Sequence, residues 1–321
     1  MILVTGAAGL LGREVVRELG AHGASVRGLD VVPAPDPRLP GYQARTGDLL
    51  DPAVCRWALE GVSAVVHAAA VQFHTPGCPR VRLERFFGRN IAMTGHLLQA
   101  CQAAGIERFV FVSSDMVYGA LRAGPMREDG PTRPAGPYGR SKLAGEDQCR
   151  RAREGIAHVV ILRPSMTIGP GRLGLLKRLF DRVRTDRPIP MLGHGANRHH
   201  MIAVDDLARA CRLALSHPGH GTYNIGSRKP TPVRDLLAEV CRRAGSRSRL
   251  VAMPAAPAVM VLDLLWRVRL SVMNPEQYLI APRDYVLDTS AARAELGFEA
   301  RHRDVDALFA TYRWYLDRLS A

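Results

Sequence analysis

The chain has 321 residues, 47% of them hydrophobic and 23% charged, which is enough to bury the core of one large domain or two small ones. Its formal charge of +14 is carried mostly by arginines spread along the chain. A spread excess suits small anionic ligands, and the lack of a compact basic run with interleaved aromatics argues against nucleic-acid binding. The six cysteines (55, 78, 101, 149, 211 and 241) contain no Cys-x-x-Cys pair. That pattern argues against a disulfide scaffold or a zinc site and for reduced thiols in a cytoplasmic protein.

The chain opens directly on a strand pattern, ILVT over 2–5, with no signal-peptide pattern before it. A helix is expected over 10–19, then a second strand, ASVRGLD, over 24–30. A helix over 52–60 leads to strand AVVHAA, and a long helix from about 82 to 104 leads to strand RFVFVSS. The helix that carries Tyr138 leads to strand HVVILRP. Strand alternating with helix predicts an α/β fold: a doubly wound parallel sheet, the Rossmann architecture, with helices on both faces.

After Pro164 the rhythm loosens. SMTIGPGR and GHGANRHH read as loops, followed by a helix over 204–215, a short strand TYNIGS, and helices over 233–244, about 255–272 and 305–319. The apolar stretch 252–270 contains Asp263, Arg267, Arg269 and two prolines, so it is expected to lie over a pocket without stable membrane insertion. The expected division is a dinucleotide-binding domain over 1–165 plus about 201–227, and a smaller substrate-binding lobe over 166–200 and 228–321. His194, His199 and His200 have no carboxylate or thiolate at ligand spacing, so no metal is expected.

TGAAGLLG places Gly6, Gly9 and Gly12 between the first strand and the first helix. In that context the glycines allow a tight turn, a close approach of backbone to a pyrophosphate, and close helix–strand packing. The helix N-terminus then presents free N–H groups to the anion. Asp30 ends the second strand, where a carboxylate can accept the ribose hydroxyls of an adenosine and repel a 2′-phosphate. No basic residue follows it at 31–33, and Arg27 need not face the same way on a period-2 strand. NAD is therefore expected over NADP.

PYGRSKLAGE, 137–146, sets Tyr138 four residues before Lys142, about one helical turn. The two can be a reactive phenol beside an ammonium or two residues of an ordinary amphipathic helix. Tyr-x-x-x-Lys alone does not decide between them.

Taken in order, TGAAGLLG (5–12), GDLLD (47–51), HAAA (67–70), FVFVSSDMVYG (109–119), PYGRSK (137–142), LRPSMTIGPG (162–171) and MIAVDDLARA (201–210) resemble the extended short-chain dehydrogenase/reductase family, the NAD-dependent epimerase/dehydratase group. The resemblance covers nearly the whole chain. It implies a cofactor site at Gly6, Gly9, Leu10, Leu11, Gly12 and Asp30. Asp48 and Leu49 would meet the adenine, and Ala68 and Ala69 would pass the phosphate and ribose region. Ser114, Tyr138 and Lys142 are the implied catalytic set, with Tyr138 and Lys142 also touching cofactor, and Asp115 as a further candidate. The family's 4,6-dehydratases place a glutamate where this chain has Met116, which disfavours their water elimination. Arg198 and Gln72 are the implied substrate contacts. The arginine usual before the Asp-Leu-Ala motif aligns with His199, one residue from Arg198, and the usual histidine aligns with Ala203. Arg163 is a second candidate for a diphosphate, or else a strand-end salt bridge.

In chemical terms, a tyrosine normally titrates near 10, and a neighbouring Lys142 ammonium with the positive nicotinamide would favour its phenolate. The resemblance implies hydride transfer at a substrate hydroxyl or ketone carbon, acting on a nucleotide sugar in a homodimer. Two other readings stand beside it: a 3β-hydroxysteroid-dehydrogenase-like enzyme of a hydrophobic alcohol or ketone, and a non-catalytic NAD-binding regulator. The loops around 71–80 and 193–200 are expected to select the substrate.

Overall fold

A computed structural model of the chain describes residues 1–320 apart from 35–37, 74, 76–77, 80–81, 121–123, 269 and 271–272. In order, the first half contains β1 (Ile2–Thr5), α1 (Leu10–Ala21), β2 (Val26–Asp30), β3 (Tyr42–Thr46), α2 (Pro52–Ala58), β4 (Ala64–His67), α3 (Leu83–Ala103), β5 (Arg108–Val112), α4 (Pro137–Ala152) and β6 (His158–Pro164). A 3₁₀ turn, Asp115–Val117, follows β5. The second half contains β7 (Met166–Ile168), α5 (Leu176–Arg184), β8 (Ile189–Leu192), β9 (Met201–Ala203), α6 (Val204–Leu215), β10 (Gly221–Ile225) and α7 (Val233–Arg243). It ends with β11 (Leu250–Met253), α8 (Ala255–Arg267), α9 (Pro275–Tyr278), α10 (Ser290–Leu296) and α11 (Asp304–Ser320).

Seven strands form one sheet in the order β10-β6-β5-β4-β1-β2-β3, every adjacent pair parallel. The central strands β1, β4, β5 and β6 are mostly apolar because both faces are covered. Leu3, Val65, Phe109 and Ile161 pack to one side with Leu97, Cys101 and Cys149 of α3 and α4. Val4, Val66, Val110 and Val160 pack to the other with Val15 of α1 and Leu207 and Cys211 of α6. The strand order reverses between β1 and β4, and in such sheets the crevice at the carboxyl ends of those two strands is where a ligand is received.

Of the region 201–227, only β10 joins this sheet; β9 pairs with β7 in a separate two-stranded ribbon, and β8 pairs with β11 in another. A third core, with Phe180, Ile189, Val240, Leu308 and Tyr312, binds α5, α7 and α11 together. The structure adds β3, the short strands β7, β8, β9 and β11, and helices α5, α9 and α10 to the elements expected from sequence. β3 reads YQART and is largely exposed at the sheet edge, so it lacks the apolar run of its neighbours. The helix expected over about 255–272 ends at Arg267, and residues 271–272 lie outside the described ones. α8 buries none of its residues, and Met260, Val261 and Leu264 are exposed. Among the described residues no helix is long and apolar enough to cross a membrane.

Candidate active site

The glycine turn sits between β1 and α1 at the reversal point. Gly6 adopts φ +73°, and a β-carbon there would lie 2.8 Å from the amide nitrogen of Ala69, in the loop after β4. A β-carbon on Gly12 would lie 2.0 Å from the Gly6 carbonyl oxygen, so α1 could not approach β1 this closely with any larger residue. Behind the turn, Thr5 Oγ1 and His67 Nδ1 are 2.7 Å apart, and His67 Nε2 is 3.1 Å from Thr94 Oγ1. Burial and the nearby Lys142 pull the His67 pKa down to about 3, so this bracing imidazole stays neutral.

The turn fits a dinucleotide pyrophosphate on two observations. No side chain caps α1, so the amides of its first turn, including Leu10 and Leu11, have no side-chain acceptor there. At Gly9 a β-carbon would meet only the Gly6 carbonyl oxygen, at 3.1 Å, so that face is otherwise open. Asp30, at the end of β2, accepts from Ala8 N at 3.0 Å and Val32 N at 3.3 Å, which fixes its carboxylate against the turn. Arg27 points its fork elsewhere: to Gln43 and to the carbonyls of Ala58 and Glu60. Asp48 accepts from Leu50 N and faces Arg89, while Leu49 is buried and its carbonyl accepts from Cys55 and His96. Ala69 N donates to Thr5 Oγ1, holding Ala68 and Ala69 beside the turn.

The catalytic candidates gather where β5 and α4 meet. Ser114 lies two residues past the end of β5 and caps the 3₁₀ turn: its Oγ accepts from Met116 N at 3.2 Å and donates to Asp115 Oδ1 at 3.1 Å. Asp115 is buried, and burial pushes its pKa up to about 7, partly opposed by the Ser114 and Met116 hydrogen bonds. The start of α4 packs directly on this turn, since a β-carbon on Gly139 would sit 2.5 Å from the Met116 carbonyl oxygen. Tyr138 stands there half-buried, edge-on to Phe87, and its phenol accepts from Gln72 Nε2 at 3.4 Å. Residues 74, 76–77 and 80 of the expected specificity loop lie outside the described residues.

Lys142 does not take the posture expected from sequence. It is buried, its Nζ donates to the Val112 carbonyl at 2.8 Å, and it stands over the Phe111 ring at 4.9 Å. Burial pulls its pKa down to about 8. Tyr138 is pushed up to about 12, by burial first and then by the Glu276 carboxylate; the cation that opposes this is Arg172, in the loop after β7. The phenol is thus held protonated in this arrangement; of the charged groups that act on it, Glu276 and Arg172 were missed by sequence reasoning, while Asp115 was among the expected site residues.

Arg163 is the strand-end ion pair. It is 1% exposed, forks onto Glu146 at 2.9 and 2.7 Å, and donates to Tyr118 Oη at 2.8 Å. Every arm of it is engaged inside the protein, which leaves nothing for a diphosphate. Arg198 is exposed on the segment 197–199; its N–H donates to Asp284 and its carbonyl accepts from Tyr285 N at 2.8 Å. Tyr285 in turn donates from its phenol to the Asp115 carbonyl, linking the Arg198 segment to the 3₁₀ turn. His199 and His200 are depressed by burial, His200 to about 4, and serve as hydrogen-bonding partners. Among the described residues no group of three or more His, Cys, Asp or Glu side chains could hold a metal ion.

Glu276, Tyr285, Arg172 and Asn90 are the site residues that sequence reasoning missed. Asn90, on α3, clamps the Val71 backbone through both ends of its amide and donates to Ser141, whose hydroxyl donates to the Tyr138 carbonyl. The Asn-Pro-Glu-Gln run at 274–277 is a readable helix start, with cap, N1 proline and capping-box glutamine, but nothing local says which helix Glu276 faces.

Similarity to known proteins agrees with this geometry. An uncharacterized protein, y4nG, of Sinorhizobium fredii is 36% identical over 315 residues, covering 98% of this chain and 78% of its own length. A dTDP-glucose 4,6-dehydratase of Streptomyces griseus is 31% identical, covering 98% of this chain and 93% of the relative. The solved structure of MoeE5 in complex with UDP-glucuronic acid and NAD superposes with a TM-score of 0.79 at 28% identity, covering 100% of this chain and 99% of that one. The family model matches residues 2–226, over the glycine turn, the Ser114 turn and the Tyr138 helix alike, and the chain belongs to the NAD dependent epimerase/dehydratase family.

Proposed function

We propose that this enzyme performs hydride transfer at a hydroxyl or ketone carbon of a nucleotide sugar, with Tyr138 as the acid/base. The observation that carries the reading is the junction of α4 on the Ser114 turn, where a half-buried phenol, a hydroxyl and a carboxyl stand at the carboxyl end of β5 beside the reversal crevice. Gly6, Leu10, Leu11 and Gly12 would receive the pyrophosphate of NAD, Asp30 its adenosine ribose, and Asp48 and Leu49 its adenine end. When bound, NAD accepts or returns the hydride. The chain's own residues handle the proton: Tyr138 removes it from the substrate hydroxyl or gives it to the carbonyl oxygen, and Ser114 hydrogen-bonds that oxygen. Lys142 supports the nicotinamide ribose side once its hold on the Val112 carbonyl is exchanged. Met116 offers no acid/base group, so the reaction stays at oxidation, reduction or epimerisation.

The nucleotide-sugar assignment is supported by the ligand named for MoeE5 and by the exposed Arg172, whose charge acts on the Tyr138 phenol; Arg198 is exposed too, on the segment that Tyr285 ties to the Ser114 turn. A second reading rests on a cleft of about 430 Å³ beside the start of α4, where the apolar Phe73, Leu83, Trp266 and Pro275 stand among the charged Arg82, Glu84, Arg140 and Glu276; its apolar part would take a hydrophobic alcohol or ketone. Incubating the NAD-loaded protein with UDP- and dTDP-sugars and with steroid or alkyl alcohols, and following NADH, separates the two. Turnover of apolar alcohols alone would overturn the sugar reading. No hydride transfer with any of them would favour a regulator. The pairing of α3 with α4 along one side of the sheet also supports a homodimer, and a monomer by sedimentation at micromolar concentration would refute it.

A further inference from the structure

α4 lacks an N-terminal cap of its own: Gly136 at the cap position has no side chain to offer. The cap arrives from the C-terminal lobe. Glu276 of α9 is 3% exposed, and its Oε1 accepts from Gly139 N at 3.2 Å, across 137 positions of sequence. The Tyr138 backbone amide also faces this carboxylate. A β-carbon on Gly136 would fall 2.3 Å from Oε1, so glycine is what lets the carboxylate reach this position. α9 is itself braced, by the reciprocal Asn274–Gln277 capping box and by Tyr278, whose phenol donates to Asp263 of α8 at 2.9 Å.

We infer that Glu276 is a positioning residue for the catalytic tyrosine: it completes the first turn of α4 from the other lobe, and its charge governs the proton on the Tyr138 phenol. The inference rests on the acid/base reading of Tyr138. A carboxylate is favourable at a helix N-terminus, but its negative charge opposes ionisation of the Tyr138 phenol. Among the described residues, charged groups face the pair from several elements. Arg140 of α4 and Glu84 of α3 act on Glu276; Arg172, from the loop after β7, and Asp115, from the 3₁₀ turn, act on Tyr138. Arg82 lines the same cleft as Glu276, and the Tyr285 phenol feels both carboxyls. Burial raises the Glu276 pKa to about 7, so its charge appears near neutrality. Above that pH the phenol is harder to ionise, below it easier, which spreads the two titrations apart.

Glu276→Gln keeps an oxygen for Gly139 N and removes the charge. Gly136→Ala keeps the charge and displaces the carboxylate, at a residue whose φ of −151° alanine accepts. Tyrosinate absorbance is titrated in each full-length variant, with and without NAD, against Tyr138→Phe to isolate this phenol. Both variants are expected to lower the Tyr138 midpoint by about one unit, and the limb of kcat that requires the phenolate should move to lower pH with it. An unchanged midpoint in both overturns the inference, whatever happens to turnover. If the midpoint moves as expected while Tyr138→Phe retains turnover, Glu276 still governs the phenol and it is the acid/base reading that falls.

Discussion

The phenol of Tyr285 donates to the main-chain carbonyl of Asp115 at 2.7 Å, across 170 positions of sequence. Together with the Glu276–Gly139 bond, it means that the segment 276–285 touches the junction of Ser114 and Tyr138 at two points, one on the 3₁₀ turn and one on α4.

Tyr138→Phe keeps the ring against Phe87 and removes the ionisable oxygen. Turnover should fall by roughly 10²–10⁴-fold with NAD affinity nearly unchanged. Lys142→Met should lower both, because it removes the ammonium that the ribose would meet. Steady-state kinetics and cofactor titration on both variants check this; near-normal turnover in Tyr138→Phe would reduce the tyrosine to a packing residue.

Asp30 should make NAD(H) bind at least about tenfold more tightly than NADP(H), about 1.4 kcal/mol, since a 2′-phosphate would meet its carboxylate. Calorimetric titration of both cofactors gives the ratio. In Asp30→Ala the preference should shrink, and NAD affinity should also drop because Ala8 N loses its acceptor. Equal affinities in the unmodified protein would remove the basis for the preference.

Arg163→Met strands Glu146 in the core with only the half-exposed Arg150 as a cationic partner. Breaking a buried pair from one side costs about 3–5 kcal/mol, and the Arg150 contact should keep this case near the lower end. Urea unfolding measures it. A loss under about 1 kcal/mol would show that the pair is not the clamp joining β6 to α4.

The glycine turn, the parallel sheet and the Ser114–Tyr138 meeting point were legible because each is written locally: glycines after a strand, apolar runs, a tyrosine one turn from a lysine. β3 was not, because an exposed edge strand carries no apolar run. The posture of Lys142 was not, because a buried ammonium follows whichever carbonyl the fold leaves open, here that of Val112. Arg163 offered two futures in the sequence, and only the location of Glu146 17 positions away chose between them. Glu276 lay within a readable helix start, but its target is a tertiary fact.

Stability against pH gives a further test. Asp115 and Glu276 both have folded pKa values raised to about 7, above those of exposed carboxyls, so the folded state binds their protons first and gains stability as pH falls below 7. His67 and His200 are depressed, to about 3 and about 4, so they lose stability as pH falls below about 6.5. The two pairs oppose each other between about pH 6.5 and 5. Asp115→Asn or Glu276→Gln should each steepen the acid loss by about 1.4 kcal/mol per pH unit there, one proton's worth. Denaturant titrations at several pH values measure the slope; parallel curves for variant and parent would mean those carboxyls titrate normally.

The position of β10 has a consequence for the chain as it is made. β6 is complete at Pro164, but its outer neighbour begins at Gly221, about 60 residues later. At ~5–20 residues per second the ribosome needs roughly 3–12 s to cover that distance. If the sheet folds as it is made, six strands stand in that interval with the β6 edge unpaired, the kind of surface that pairs with other chains. Nascent chains halted between the two strands are therefore the ones in which chaperone capture and aggregation should concentrate.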